Sequence, residues 1–180
     1  LEGSDDNNRL VFLYGDGGMG KSTALYDYMR ETASVTPIYI ELSQYRFIDR
    51  DSSFVFKKIF EDICNKFIDA AGFVEKERLS RIEDILMESL KVPDSNDPSP
   101  QYVLLLDGYN EISREDRGGF DVEIARIIDT WKNCRIVITG RNLPTDYEGT
   151  EIPTYEHFSR FEFIGISEEE RTSLVQKKYL

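Results

Sequence analysis

A chain of 180 residues that is 40% hydrophobic and 31% charged can bury one substantial core, which predicts a globular protein with a single main domain. Its net charge of −12 argues against a nonspecific grip on nucleic acid or anionic lipid, both of which are held through clustered Lys and Arg. No apolar run approaches the ~20 residues of a membrane span, no signal-peptide pattern opens the chain, and Cys64 and Cys134 lie outside any C-x-x-C pattern; together these predict a cytoplasmic protein with reduced thiols, no membrane contact and no structural zinc.

The chain begins "LEGSDDNN" without Met, and "SEEERTSLVQKKYL" begins a capped helix at the other end, so we expect an excised domain. After the opening, "RLVFLY" (Arg9 to Tyr14) predicts a first strand, and "GDGGMGKST" follows it directly. That segment fits G-x-x-x-x-G-K-[ST], with Gly15, Gly20, Lys21 and Ser22 at the fixed positions and a helix-like "ALYDYMRE" behind it. Gly15, Asp16, Gly17, Gly18, Met19 and Gly20 would point backbone N–H groups at one anion, with the positive end of the following helix beneath them. Lys21 would neutralise the β- and γ-phosphates of a nucleotide, Ser22 would offer its hydroxyl to Mg²⁺, and Thr23 could reach the α-phosphate. The bland alternative, a glycine-rich turn with a surface lysine, leaves the agreement of every fixed position and both flanks unexplained.

A second strand is expected at "PIYIEL" (Pro37 to Leu42), then two helices. The first places Phe56, Ile59, Phe60, Ile63 and Phe67 on one face and ends at Gly72; the second carries Leu79, Ile82, Ile85, Leu86 and Leu90. Both stripes predict core. "VPDSNDPSP" reads as an exposed loop leading into "YVLLLD", whose unbroken apolar run suits a strand buried on both faces. Another helix carries Ile124, Ile127, Ile128 and Trp131, followed by the strand "RIVIT" and a last strand near "FEFIGI". Such alternation predicts an α/β fold, a three-layer sandwich around a mostly parallel five-stranded sheet.

"YVLLLDGYNE" ends its strand at Asp107, at the sheet edge where ligands of open α/β folds bind. Asp107 would hold Mg²⁺ through its water shell and Glu111 would polarise an attacking water. A strand ending in Asp-Gly is by itself commonly a plain turn; the phosphate loop upstream favours the metal. In "RIVITGRN", Arg141 stands two residues beyond Thr139 and could fork onto a γ-phosphate, with a solvated surface arginine the equal alternative on position alone.

Taken together, "GDGGMGKST", "PIYIEL", "LLLDGYNEI", "IVITGRN" and "FEFIGISEEE" resemble, in order and spacing, the NACHT branch of the STAND signal-transduction NTPases, over about Leu10 to Lys178. The most specific element is Asp107-Gly108 followed by the acidic Glu111. The resemblance implies a P-loop NTPase of the ASCE/AAA-like type in residues 1–165, with "IGISEEE" the junction into a helical domain that begins at 166–180. It implies that the fourth strand lies between the other two site-bearing strands, and makes Arg141 a sensor. It also implies a slow ATPase acting as a switch: ADP held in the closed state, exchange for ATP with Mg²⁺, and self-association through this domain to activate an attached effector. Asn110 departs from the family, which usually has Asp there, and His157 does not match the family's nucleotide-contacting histidine. A small-molecule kinase, an AAA-type motor and a non-hydrolysing nucleotide-binding scaffold are the competing readings. The arginines after the fourth strand, Arg141, Arg160 and Arg171, are too widely spaced for a kinase lid, and Glu111 speaks against the scaffold.

Overall fold

The computed structural model describes residues 9–47, 53–71, 76–93, 97, 99–141 and 159–164. Phe67, His157, Arg171 and the segment 166–180 lie outside the residues or side chains it describes. Five strands are present: β1 (Leu10–Tyr14), β2 (Thr36–Glu41), β3 (Tyr102–Asp107), β4 (Cys134–Gly140) and β5 (Ser159–Glu162). Between them run α1 (Lys21–Glu31), α2 (Phe54–Ala71), α3 (Lys76–Lys91) and α4 (Arg114–Thr130), with short 3-10 turns at Leu42–Gln44 and Tyr109–Glu111. The sheet order is β2-β3-β4-β1-β5 and every pairing is parallel. No helix among the described residues is long and apolar enough to cross a membrane.

The apolar run of β3 is buried on both faces, as its lack of alternation predicts. Leu104 and Leu106 face the larger core, with Leu10 and Phe12 of β1, Ile136 and Ile138 of β4, and the inner faces of α2, α3 and α4. Val103 and Leu105 face the other way, onto Leu25 of α1 with Met29, Val35, Tyr39 and Val137 around it. The sandwich is therefore lopsided among the described residues, with three helices on one face and α1 on the other.

Several sequence expectations shift. Ile85 is 61% exposed, while its neighbour Leu86 is buried; α3 presents a narrower stripe to the sheet than its apolar residues suggest. The last strand is "SRFE" rather than "FEFIGI", and Ile164 is 83% exposed. Among the described residues β5 pairs only with β1, and after Glu162 the chain leaves it with one more bond, Phe163 N–H to the Tyr14 carbonyl at 2.6 Å. β2 starts one residue early, at Thr36, and accommodates Pro37 because it is an edge strand in the described sheet.

One charged side chain is buried in the larger core. Glu123 of α4 is 4% exposed, and accepts hydrogen bonds from the Tyr45 hydroxyl at 3.0 Å, the Ser53 hydroxyl at 2.7 Å and the Val55 N–H at 2.9 Å. Ser53 in turn accepts from the Phe56 N–H at 3.0 Å. The carboxylate thus sits at the start of α2, where the helix dipole favours a negative charge, and locks α2 and the segment after β2 onto α4. Tyr45→Phe should lower stability by about 1.5 kcal/mol, one hydrogen bond to a charged acceptor, and Glu123→Ala by about 3 kcal/mol, since it orphans three donors. Urea denaturation of both variants measures this; equal midpoints for Glu123→Ala and wild type would contradict it.

Candidate functional site

β1 releases the chain at Tyr14 into the glycine-rich turn, and α1 begins at Lys21 with Gly20 as its cap at φ +94°. That left-handed cap is the conformation glycine accepts without strain. No acidic residue stands in the first turn of α1, so the positive end of the helix faces the turn uncompensated. A Cβ on Gly15 would lie 2.8 Å from the Phe163 carbonyl oxygen, so the loop can pass β5 only as glycine. Lys21 reaches back across the loop, its Nζ donating to the Gly15 carbonyl at 2.5 Å and the Asp16 carbonyl at 2.8 Å. Burial pushes its amine below the ordinary lysine value, Asp107 opposes that shift, Arg141 reinforces it and Asp16 opposes it. Lys21 therefore lies within electrostatic reach of Asp107, Arg141 and Asp16. Ser22 and Thr23 form the exposed first turn of α1, and Met19 is half-buried before it.

Asp107 closes β3. Its Oδ2 accepts from the Tyr39 hydroxyl at 2.9 Å and its Oδ1 from the Thr139 hydroxyl. Thr139, 1% exposed, accepts in turn from the Gly108 N–H at 3.0 Å. Burial, a hydrogen bond to Tyr26 and the bond to Asp107 push the Tyr39 phenol far above its ordinary value, so it stays protonated and donates. Each carboxylate oxygen keeps lone-pair capacity for a further donor.

The turn after β3 depends on Gly108, which holds φ +92°. A Cβ there would meet the Glu111 carboxyl carbon at 3.0 Å and both its oxygens at 3.3 Å. Glu111 is exposed and its carboxylate is folded over Gly108, next to the Asp107 strand end. Asn110 uses its side-chain Oδ1 to accept the Arg141 backbone N–H at 3.1 Å. β4 runs one residue past Thr139 to Gly140, so Arg141 emerges directly from its end. Its guanidinium lies over the glycine-rich turn, where a Cβ on Gly17 would sit 3.6 Å from both Cζ and Nε.

Mg²⁺ fits this donor set. Ser22 and Asp107 offer a hydroxyl and a carboxylate, both hard oxygen ligands, and no group of three or more His, Cys, Asp or Glu gathers among the described residues. An ion held through one carboxylate and completed by phosphate and water is the usual habit of Mg²⁺.

Among the sequence-predicted site residues, Arg141 lies over the glycine-rich turn, Lys21 reaches across that turn, and Glu111 folds over Gly108 at the end of the Asp107 strand. Tyr39 and Tyr26 were missed. No motif marks a tyrosine in the middle of β2; only the pairing of Tyr39 with Leu105, two residues before Asp107, puts its hydroxyl within reach of the carboxylate.

No protein-family model matches the chain, and no curated protein does. Solved structures share its fold. The Walker-type ATPase PABY2304 of Pyrococcus abyssi superposes with a TM-score of 0.57 at 16% identity, over 97% of this chain and 54% of that one. Drosophila ORC bound to DNA gives 0.54 at 13% identity, over 97% and 43%. PCH-2 of C. elegans gives 0.51 at 17% identity, over 96% and 40%. The chain spans about half or less of the length of each. A five-stranded parallel sheet in the order β2-β3-β4-β1-β5, with a glycine-rich loop between β1 and α1, is the α/β fold of ASCE/AAA-like P-loop NTPases, and it is the fold of this chain.

Proposed function

We propose that this chain is a Mg-nucleotide-binding switch domain that hydrolyses ATP slowly, of the kind its motifs resemble in NACHT-type STAND regulators. The observation that carries the reading is the guanidinium of Arg141 lying over Gly17 of the glycine-rich loop, while Lys21 reaches across the same loop to the Gly15 and Asp16 carbonyls and lies within electrostatic reach of Asp107. Two cations converge where a triphosphate would run, and one carboxylate stands where its metal would sit. Arg141 would contact the γ-phosphate of a triphosphate and would lack that partner with a diphosphate, the kind of differential contact that any two-state switch requires.

Glu111 supports hydrolysis rather than mere binding. It is an exposed carboxylate at the metal-facing strand end, free to orient a water toward a γ-phosphate. Self-association through this domain, and control of an attached effector, follow from the NACHT resemblance as part of the same proposal; a cytoplasmic setting, expected from the cysteine pattern and the lack of a long apolar run, belongs to it as well. The DNA in the Drosophila ORC structure belongs to that complex; a net charge of −12 favours a single phosphate chain held in one loop over an extended polyanion.

Three substitutions test the reading. Lys21→Ala should weaken Mg-ATP binding at least about tenfold by calorimetry, because the backbone cradle alone does not offset the triphosphate charge. Arg141→Ala should spare ADP while lowering affinity for a non-hydrolysable ATP analogue by about ten-fold or more, the worth of a lost charge-assisted bond. If both affinities fall together, Arg141 is structural. Glu111→Gln should keep nucleotide affinity and slow single-turnover hydrolysis by about a hundredfold; wild-type turnover in that variant removes Glu111 from the chemistry.

A further inference from the structure

The Asp107 carboxylate is held on the β2 side by a residue that the nucleotide motifs do not include. Tyr39 is half-buried in β2, packed in the smaller core against Leu25, Val103 and Leu105, and its hydroxyl donates to Asp107 Oδ2 at 2.9 Å. The ring of Tyr26, on α1, stacks on it with centroids 4.8 Å apart and planes 32° from parallel. Tyr26 stands four residues after Ser22, one turn along the same face of α1. The two oxygen donors suited to Mg²⁺, Ser22 on α1 and Asp107 on β3, are therefore joined by a continuous path: one helical turn, one ring stack and one hydrogen bond.

We propose that Tyr26 and Tyr39 form an aromatic strut that sets the Asp107 carboxylate relative to Ser22 for metal binding, with Tyr39 and Tyr26 as positioning residues. The inference rests on the Mg-nucleotide reading above. The Tyr39 hydroxyl fixes which oxygen of Asp107 faces inward, and the Thr139 hydroxyl holds the other, so rotation of the carboxylate about its own bond is blocked from both sides. Each oxygen retains a lone pair toward the site, which suits contact with the water shell of a metal. Freed from Tyr39, the carboxylate has a competing partner, since it lies in the field of the Lys21 amine. An Asp107–Lys21 pair would take from the ion its ligand and from the phosphates their cation. Tyr26 adds the second constraint: its ring, 46% exposed, packs at a tilt against Tyr39 and its side chain hydrogen-bonds with that of Tyr39, so the pair ties α1 to β2 at the level of the site.

The test uses Tyr39→Phe and Tyr26→Ala in the 180-residue chain, with Mn²⁺ as a paramagnetic probe. Nucleotide affinity in EDTA is measured by calorimetry, and Mn²⁺ affinity of the ADP complex by the free-ion resonance signal. The expected result is unchanged nucleotide affinity without metal, with Mn²⁺ affinity lower by about tenfold or more in Tyr39→Phe, the worth of one hydrogen bond to a charged acceptor, and lower in the same direction in Tyr26→Ala. Wild-type Mn²⁺ affinity in either variant overturns the strut, as does an equal loss with and without metal in Tyr39→Phe, which would mark a packing role. A wild-type chain that binds no nucleotide removes the functional reading and the strut together, whereas a nucleotide-binding wild type with an unaltered Tyr39→Phe removes the strut alone.

Discussion

The site exists because β4 inserts between β1 and β3. Residues far apart in the chain become neighbours through that double pairing, Leu13 beside Thr139 on one side and Leu106 beside Ile138 on the other. Parallel pairing sends all three C-terminal ends to one edge of the sheet. The glycine-rich turn leaves β1 there, Asp107 ends β3 there, and Arg141 follows β4 between them. A strand inserted elsewhere in the order would leave each motif intact and separate them by at least one further strand width of about 4.8 Å. The buried aliphatic side chains of β1, β3 and β4 hold this arrangement, since they face cores on both sides of the sheet and a one-residue slip would reverse their faces.

The electrostatics of that edge explain why it suits an anion. Two cationic side chains, Lys21 and Arg141, act on each other unfavourably across the loop, and burial of Lys21 compounds the effect. Asp107 offsets part of it, yet both carboxylate oxygens are already engaged by Tyr39 and Thr139. Lys21 settles on two backbone carbonyls, which carry only partial charge. A polyphosphate would relieve all of these at once, and a divalent ion would draw on the lone pairs that Asp107 has left. The polar bonds that fix Asp107 also run to the other cation: Asn110, three residues on, accepts from the backbone of Arg141. Asn110 accepts that bond without adding a charge, and the carboxylate of the turn is that of Glu111.

Much of this was legible in the residues themselves. The phosphate loop carries its own geometry in Gly15, Gly20 and Lys21, because few sequences of that spacing between a strand and a helix can do anything else. The alternation of strand and helix, and the unbroken apolar run of β3, required a parallel sheet buried on two faces. Asp107 was marked by ending such a run. What local pattern misjudged were surfaces and edges. Ile85 has the periodicity of a core residue and points to solvent, because a helix stripe does not state how wide a face its partner offers; β5 stops before its apolar residues do, because an edge strand has only β1 to pair with.

The sequence by itself determined the glycine-rich loop, the fold class and the carboxylate that ends β3, since each is written in local pattern: the spacing of the glycines, the alternation of strands and helices, and an unbroken apolar run closed by Asp107. Tertiary structure alone decided which side chains would surround that carboxylate: Tyr39 from β2, Tyr26 from α1, Thr139 from β4, and Arg141 laid over Gly17. The physical reason is range. Loop conformation and strand burial are set by φ/ψ preferences and by hydrophobic patterning along the chain, both readable within a few residues. A hydrogen bond between Tyr39 and Asp107 joins residues 68 apart in sequence, and exists only once strand order and register have been chosen by the packing of the whole sheet.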